Sequence, residues 1–198
     1  NLKNDDHIQE ITSNFNLVFS IHCKQIFPSK LVNTIKCINI HPGYNPINRG
    51  WYPQVFSIIN DLKIGATIHE IDEKLDNGNI IVREEVVKYN YDTSESLYNR
   101  ILEKEIDLLY RYLPSIIMNQ YDTIVPEMDG NLYLKKDFQD LLEINLDEKY
   151  RAGDLINRLR ALTHGNFKNA YFLDKETGEK IFIGILLTVI NSITTFNT

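Results

Sequence analysis

Asn39-Ile40-His41-Pro42-Gly43 constrains this chain more than any other segment. It closes a short apolar run, Lys36-Cys37-Ile38-Asn39-Ile40. A short run of that kind reads as a buried strand, which belongs in a sheet covered by helices. Side chains two apart on a strand share a face, so Asn39 and His41 emerge together. Pro42-Gly43 then turns the backbone. That leaves an amide and an imidazole at the carboxyl end of a strand, where α/β sheets bind ligands.

Neighbouring segments supply the rest of such a sheet. Leu17 to His22 has the same buried-strand character. Gln25-Ile26-Phe27-Pro28 reads as a loop with exposed apolar side chains, and Ser29 to Thr34 as a short helix capped by Ser29. Residues 43–53 are rich in Gly, Pro and Asn and predict a long irregular loop of the kind that carries function. Pro53 suits the first turn of a helix ending near Asn60. Gly65 to Ile71 and Asn79 to Val87 read as strands on either side of a turn at Asp76-Asn77-Gly78. Asp92 and Glu95 predict a capping box for a helix running to about Asn119. Its apolar stripe is Leu97, Ile101, Leu108, Leu109, Tyr112 and Leu113.

These elements predict an α/β domain over residues 1–125. Residues 126–150 read as a polar linker without a clear period. A helix over Ala152 to Thr163 follows, ended by His164-Gly165. Strands at Ala170 to Leu173 and Lys180 to Ile190 then flank a turn. Residues 126–198 are thus expected to form a small C-terminal region of linker, helix and β-hairpin.

The bulk properties exclude several classes of function. A net charge of -6 argues against a broad nucleic-acid surface. The longest apolar run, Ile181 to Ile190, is about half of what a membrane span needs. It predicts a core strand, and no membrane association is expected. Cys23 and Cys37 form no metal-ligand spacing, so no metal is expected. They read as buried, reduced thiols, and with no visible signal peptide the expected location is cytoplasmic.

Asp76 is the best carboxylate to orient His41 and raise its basicity. His69 is the second imidazole near the same strand ends. No convincing nucleophile accompanies them, which disfavours a covalent acyl-enzyme. An amide, an imidazole and a carboxylate suit direct acyl transfer to an amine. Asn39 donates to the developing oxyanion, and His41 handles the proton. Trp51 and Tyr52 suit either a core anchor or a ligand-facing wall. Arg49 suits either a surface ion pair or a pocket that takes a phosphate.

Four blocks, in order, carry a resemblance: Asn39-Ile40-His41-Pro42-Gly43, Arg49-Gly50, Gly65-Ala66-Thr67-Ile68-His69 and Leu75-Asp76-Asn77-Gly78. Together they resemble the formyltransferases that use 10-formyltetrahydrofolate. The resemblance implies a Rossmann-like catalytic domain with a mostly parallel sheet, and Asn39, His41 and Asp76 as the catalytic trio. It implies that Gln25, Ile26, Phe27, Asp76 and Asn77 contact the folate. The segment Tyr44 to Gln54 resembles the branch that formylates dTDP-linked amino sugars, which feed O-antigen and other surface polysaccharide. That branch implies acceptor contacts from Tyr44, Asn45, Arg49, Trp51, Tyr52 and His69. It also implies a homodimer built through the C-terminal region. The family's opening strand and helix have no counterpart here, so residues preceding Asn1 are expected. Other acceptors, a 3-amino sugar nucleotide or methionyl-tRNA, remain alternatives, as does a non-catalytic module that binds a nucleotide sugar or folate. From Leu141 to Thr198, seven Lys and Arg face seven Asp and Glu, a balance unlike the basic module a tRNA calls for.

Overall fold

The computed structural model describes residues 1–126 and 128–190. Helix α1 (Asp5–Asn14) begins at Asn4, whose side chain accepts the Asp6 N–H. Strand β1 (Leu17–Ile21) connects through the short helix α2 (Ser29–Val32) to β2 (Lys36–His41). The loop that follows contains a two-residue strand, β3 (Arg49–Gly50), and leads into α3 (Pro53–Asn60). Strands β4 (Gly65–Glu70) and β5 (Ile80–Glu85) precede the long helix α4 (Ser94–Ile117). The remainder holds β6 (Leu132–Tyr133), α5 (Lys135–Gln139), α6 (Ala152–Leu162), β7 (Tyr171–Leu173) and β8 (Lys180–Phe182).

The main sheet has the order β1-β2-β4-β5. The α/β class stands, but the sheet is mixed rather than mostly parallel. β1 and β2 are parallel, whereas β2–β4 and β4–β5 are antiparallel. The crossover through α2 carries the chain back to restart in the same direction. The short link from β4 to β5 only reverses it, and reversal makes an antiparallel neighbour.

The alternation of β2 separates two apolar clusters. Ile38 and Ile40 face α3 and α4 and pack with Ile58, Ile68, Leu97 and Ile101. Cys37, on the other face, packs with Ile8, Phe27 and Leu31. Asn39 and His41 share the face of Cys37, so the catalytic candidates lie across the sheet from α4.

Several local expectations need correction. The helix α4 is capped by Thr93 with Ser96, not by Asp92 with Glu95. Asp92 is fully buried and accepts the Tyr89 N–H, the Ser96 hydroxyl and the Arg100 guanidinium. Pro28 rather than Ser29 precedes α2, without a side-chain cap. Cys23 is exposed; only Cys37 is buried, and burial pushes its thiol up to about 11. The polar stretch after Pro126 is not featureless, because β6 pairs with β3 and α5 sets Phe138 against Tyr52. The run Ile181 to Ile190 is not a core strand. Its strand stops at Phe182, and Leu186 is 91% exposed.

The C-terminal helix α6 joins the same core through Ala161 and Leu162. Its Arg160 is buried and donates to the Tyr89 and Asp92 carbonyls. Arg160→Met removes the side-chain donor from both carbonyls, and Tyr89 keeps only the Asp92 N–H; the loss is expected to cost about 2 kcal/mol, read from the urea midpoint.

Candidate active site

The turn after β4 brings Asp76 back over the end of β2. Asp76 adopts a left-handed φ of 48°. Two residues on, any Cβ at Gly78 would lie 1.8 Å from the Glu70 carbonyl oxygen, so only glycine lets the turn close. The Asp76 carboxylate accepts the Asn39 Nδ2 amide on Oδ1 and the Gly50 backbone N–H on Oδ2, each at 3.0 Å. Asn45 reaches the Asp76 backbone carbonyl with its own Nδ2.

Both imidazoles flank this carboxylate. His69 is buried, and its Nδ1–H donates to the Glu70 carbonyl at 2.7 Å. Its Nε2 is therefore a lone pair, which accepts the second Asn39 N–H at 3.2 Å. Burial holds the His69 pKa below the usual histidine value. His41 is also buried, and its Nε2–H donates to the Asn48 carbonyl at 3.2 Å. That bond leaves His41 Nδ1 as the basic nitrogen, 3.7 Å from Asp76 Oδ2. Gly43 makes room for the ring, since a Cβ there would lie 2.4 Å from His41 Nε2.

One cavity opens onto the set, and a second is lined by its neighbours Pro42 and Gly50. The smaller, about 70 Å³, is lined by Gln25, Ile26, Phe27, Asn39, His69 and Asp76. The larger, about 480 Å³, is walled by Pro42, Gly50, Trp51, Tyr52, Phe138 and Phe167 among others. Trp51 and Tyr52 thus face a cavity. Phe27 also belongs to a core cluster, while Ile26 is 79% exposed. Asn77 and Arg49 bond to each other, the guanidinium donating to the amide oxygen. Tyr44 packs beneath Arg83 instead of lining either cavity. Asn45 is fully buried and braces Asp76 and Thr67, which removes it from direct contact with a ligand.

The larger cavity is also lined by residues that sequence patterns did not place at the site: His22, Lys24, Gln54, Tyr98 and His164. His164 ends α6 as expected, yet its Nδ1 pairs with the Ser94 hydroxyl, which in turn accepts from Gln54. One signal was available. Buried Glu105 sits four residues after Ile101, inside the apolar stripe of α4.

The family described as Formyl transferase matches residues 1–113, which include the whole trio. This chain is a member of the formyltransferase family. The family described as N-formyltransferase dimerization C-terminal domain matches residues 137–189. The dTDP-4-amino-4,6-dideoxyglucose formyltransferase of Mycobacterium tuberculosis is 46% identical over 182 residues, covering 92% of this chain and 77% of that protein. A sugar N-formyltransferase structure from a Shewanella species matches with a TM-score of 0.93 and 44% identity, over 96% of this chain and 77% of that one. A formyltransferase from Anoxybacillus kamchatkensis, solved with UDP-4,6-dideoxy-4-formamido-L-AltNAc and tetrahydrofolate, matches with a TM-score of 0.64 and 30% identity, over 75% of this chain and 78% of that one. Among the described residues of this formyltransferase, no group of metal-binding side chains forms and no helix is long and apolar enough to cross a membrane.

The buried, neutral His69 makes the fold sensitive to acid. In the unfolded chain an imidazole titrates near 6.5, and in the folded protein His69 titrates lower. Below 6.5 the unfolded chain binds a proton that the folded chain refuses, so stability falls as pH drops toward the depressed value. The slope is at most about 1.4 kcal/mol per pH unit. His22 is shifted the other way and acts only above 6.5, so the two windows do not overlap. Urea midpoints at about pH 6.5 and about pH 5.5, both below the His22 window, should show the loss, and His69→Gln should reduce it.

Proposed function

We propose that this formyltransferase moves the formyl group of 10-formyltetrahydrofolate to the amine of a dTDP-linked 4-amino-4,6-dideoxy sugar. The observation that carries this is the Asn39–Asp76–His41 set, which lines the smaller cavity and adjoins the larger through Pro42 and Gly50. The smaller cavity, with Gln25 to Phe27, takes the pterin side of the donor. The larger, with its aromatic wall, takes the nucleotide sugar. The acceptor class is supported by the name of the mycobacterial relative. The folate is supported by the tetrahydrofolate in the Anoxybacillus structure.

The chemistry follows from the hydrogen bonds. The sugar amine attacks the formyl carbon, and its surplus proton passes to His41 Nδ1. Asp76 stabilises the imidazolium that forms, because its carboxylate lies 3.7 Å from Nδ1. Both Asn39 amide hydrogens are already engaged, at 3.0 Å to Asp76 and 3.2 Å to His69. Asn39 therefore exchanges the longer bond for the formyl oxygen as negative charge builds there. Collapse breaks the bond from formyl carbon to folate nitrogen, and that nitrogen takes the proton from His41.

Residues 1–125 act as the catalytic domain, and residues 126–198 as linker and dimerisation region. The working unit is a homodimer in the cytoplasm, and the product supplies a bacterial surface polysaccharide such as O-antigen.

Mass spectrometry of protein, donor and acceptor should show a gain of one formyl group on dTDP-4-amino-4,6-dideoxyglucose. Faster turnover of a 3-amino isomer or of methionyl-tRNA would reject the acceptor assignment. His41→Ala and Asp76→Asn should each lower kcat by about 10²–10⁴-fold while the protein stays folded. Near-normal kcat in either would remove that residue from proton transfer.

A further inference from the structure

Across the sheet from the trio, His22 occupies an unusual position. The register pairs Ile21 with Ile40, so His22 lies beside His41 at the carboxyl ends of two parallel strands. Strand alternation would send its ring to the face of Ser20 and Asn39. A left-handed φ of 51° breaks the alternation, and the ring meets α4 instead. There its Nε2–H donates to Glu105 Oε2 at 2.8 Å, and its Nδ1 lies 2.9 Å from the Tyr98 hydroxyl.

Glu105 gives this contact its meaning. Its side chain is 5% exposed, and its Oε1 has no hydrogen-bond partner. A buried carboxylate with so few partners is strongly disfavoured unless a cation neutralises it. Among the described residues, His22 is the one basic group in contact with it.

The proton on His22 decides which way Tyr98 points. With both ring nitrogens protonated, Nδ1–H donates to the Tyr98 oxygen, and the Tyr98 O–H is free to donate elsewhere. With Nδ1 bare, the Tyr98 O–H must donate to it, and only an oxygen lone pair is left over. Tyr98 and His22 both line the large cavity, with Lys24 beside them and Trp51, Tyr52 and Phe167 as aromatic walls. A donor hydroxyl and a lysine suit a phosphate oxygen, and aromatic walls suit a pyrimidine ring.

We propose that Glu105, His22 and Tyr98 form a relay that turns the Tyr98 O–H into the cavity to bind a diphosphate oxygen of the nucleotide sugar. This rests on the acceptor proposed above. Tyr98 touches the ligand, and His22 and Glu105 are positioning residues. The hydrogen bond it donates to Glu105 holds His22 above the usual histidine pKa, partly offset by burial. Burial and the Glu105 charge also raise the Tyr98 pKa, so its phenol keeps the proton it must donate. The other groups facing this cluster are Cys23 and Lys24 on the same loop and His164 from the end of α6, its ring 5.7 Å from that of Tyr98.

The test is calorimetry of thymidine diphosphate with the whole protein, from about pH 7 to 9, where the terminal phosphate is already ionised. Affinity should fall as pH rises through the raised His22 pKa. Tyr98→Phe should weaken binding about tenfold at the low end and flatten the pH dependence. Glu105→Gln should move the fall to lower pH. In turnover, Tyr98→Phe should raise the acceptor KM by the same factor as the dissociation constant. Unchanged binding by Tyr98→Phe, with formyl transfer to the dTDP sugar intact, overturns the relay and leaves the proposed function standing. An equal loss of folate affinity or of melting temperature would make Tyr98 a scaffold residue and also overturn the relay. Failure of the unsubstituted protein to bind thymidine diphosphate at all removes both.

Discussion

The Asp76 carboxylate accepts hydrogen bonds from the Asn39 amide and the Gly50 backbone, and both active-site imidazoles lie 3.7 Å away. Those partners come from β2, β3 and β4: the sheet ladder sets Asn39 opposite His69, and the bond from Gly50 ties β3 to the same carboxylate. The turn that delivers Asp76 carries two costs: a left-handed φ at a non-glycine residue, and the Gly78 backbone pressed onto Glu70. Asn45 offsets part of this by holding the Asp76 carbonyl from inside the 43–53 loop. The loop therefore orders the site even where its side chains touch no ligand, which explains why Asn45 is fully buried.

Orientation within the site is fixed by backbone carbonyls rather than by further side chains. The Glu70 carbonyl takes the His69 Nδ1–H, which makes Nε2 an acceptor. That acceptor and Asp76 together demand that Asn39 present nitrogen, not oxygen, toward them. The Asn48 carbonyl does the same for His41 and leaves Nδ1 basic. Each tautomer thus follows from a peptide group that cannot titrate.

The parts of this site that were legible in the sequence are the ones written locally. Strand β2, the Pro-Gly turn and the Asp76 turn each follow from a few adjacent residues, and so does α3 from its leading proline. The antiparallel pairings were hidden because direction depends on where a link returns, not on the strand's own residues. The pairing of β3 with β6 joins Arg49–Gly50 to Leu132–Tyr133, far apart in sequence and too short to show a period. Glu105 was legible in principle, as a carboxylate in an apolar stripe. Its partner was not, because no local pattern announces that His22 will take a positive φ and leave its strand's alternation.

The two sides of the sheet differ in how they treat charge, and the difference follows from water. On the Asn39 side, His69 is buried without contacting an ion closer than 3.7 Å, and burial keeps it neutral. On the α4 side, His22 is one-third exposed and touches Glu105 directly, so the pair is stable as ions. A neutral imidazole accepts hydrogen bonds and steers an amide, whereas a charged one donates and steers a hydroxyl. The same side-chain type therefore serves two opposite ends. In the candidate site it keeps a network of acceptors around Asn39, and beside the larger cavity it keeps a donor against a buried carboxylate. Exchanging the environments would fail on both sides, since a charged His69 would repel the Asn39 amide and a neutral His22 would leave Glu105 as an uncompensated charge.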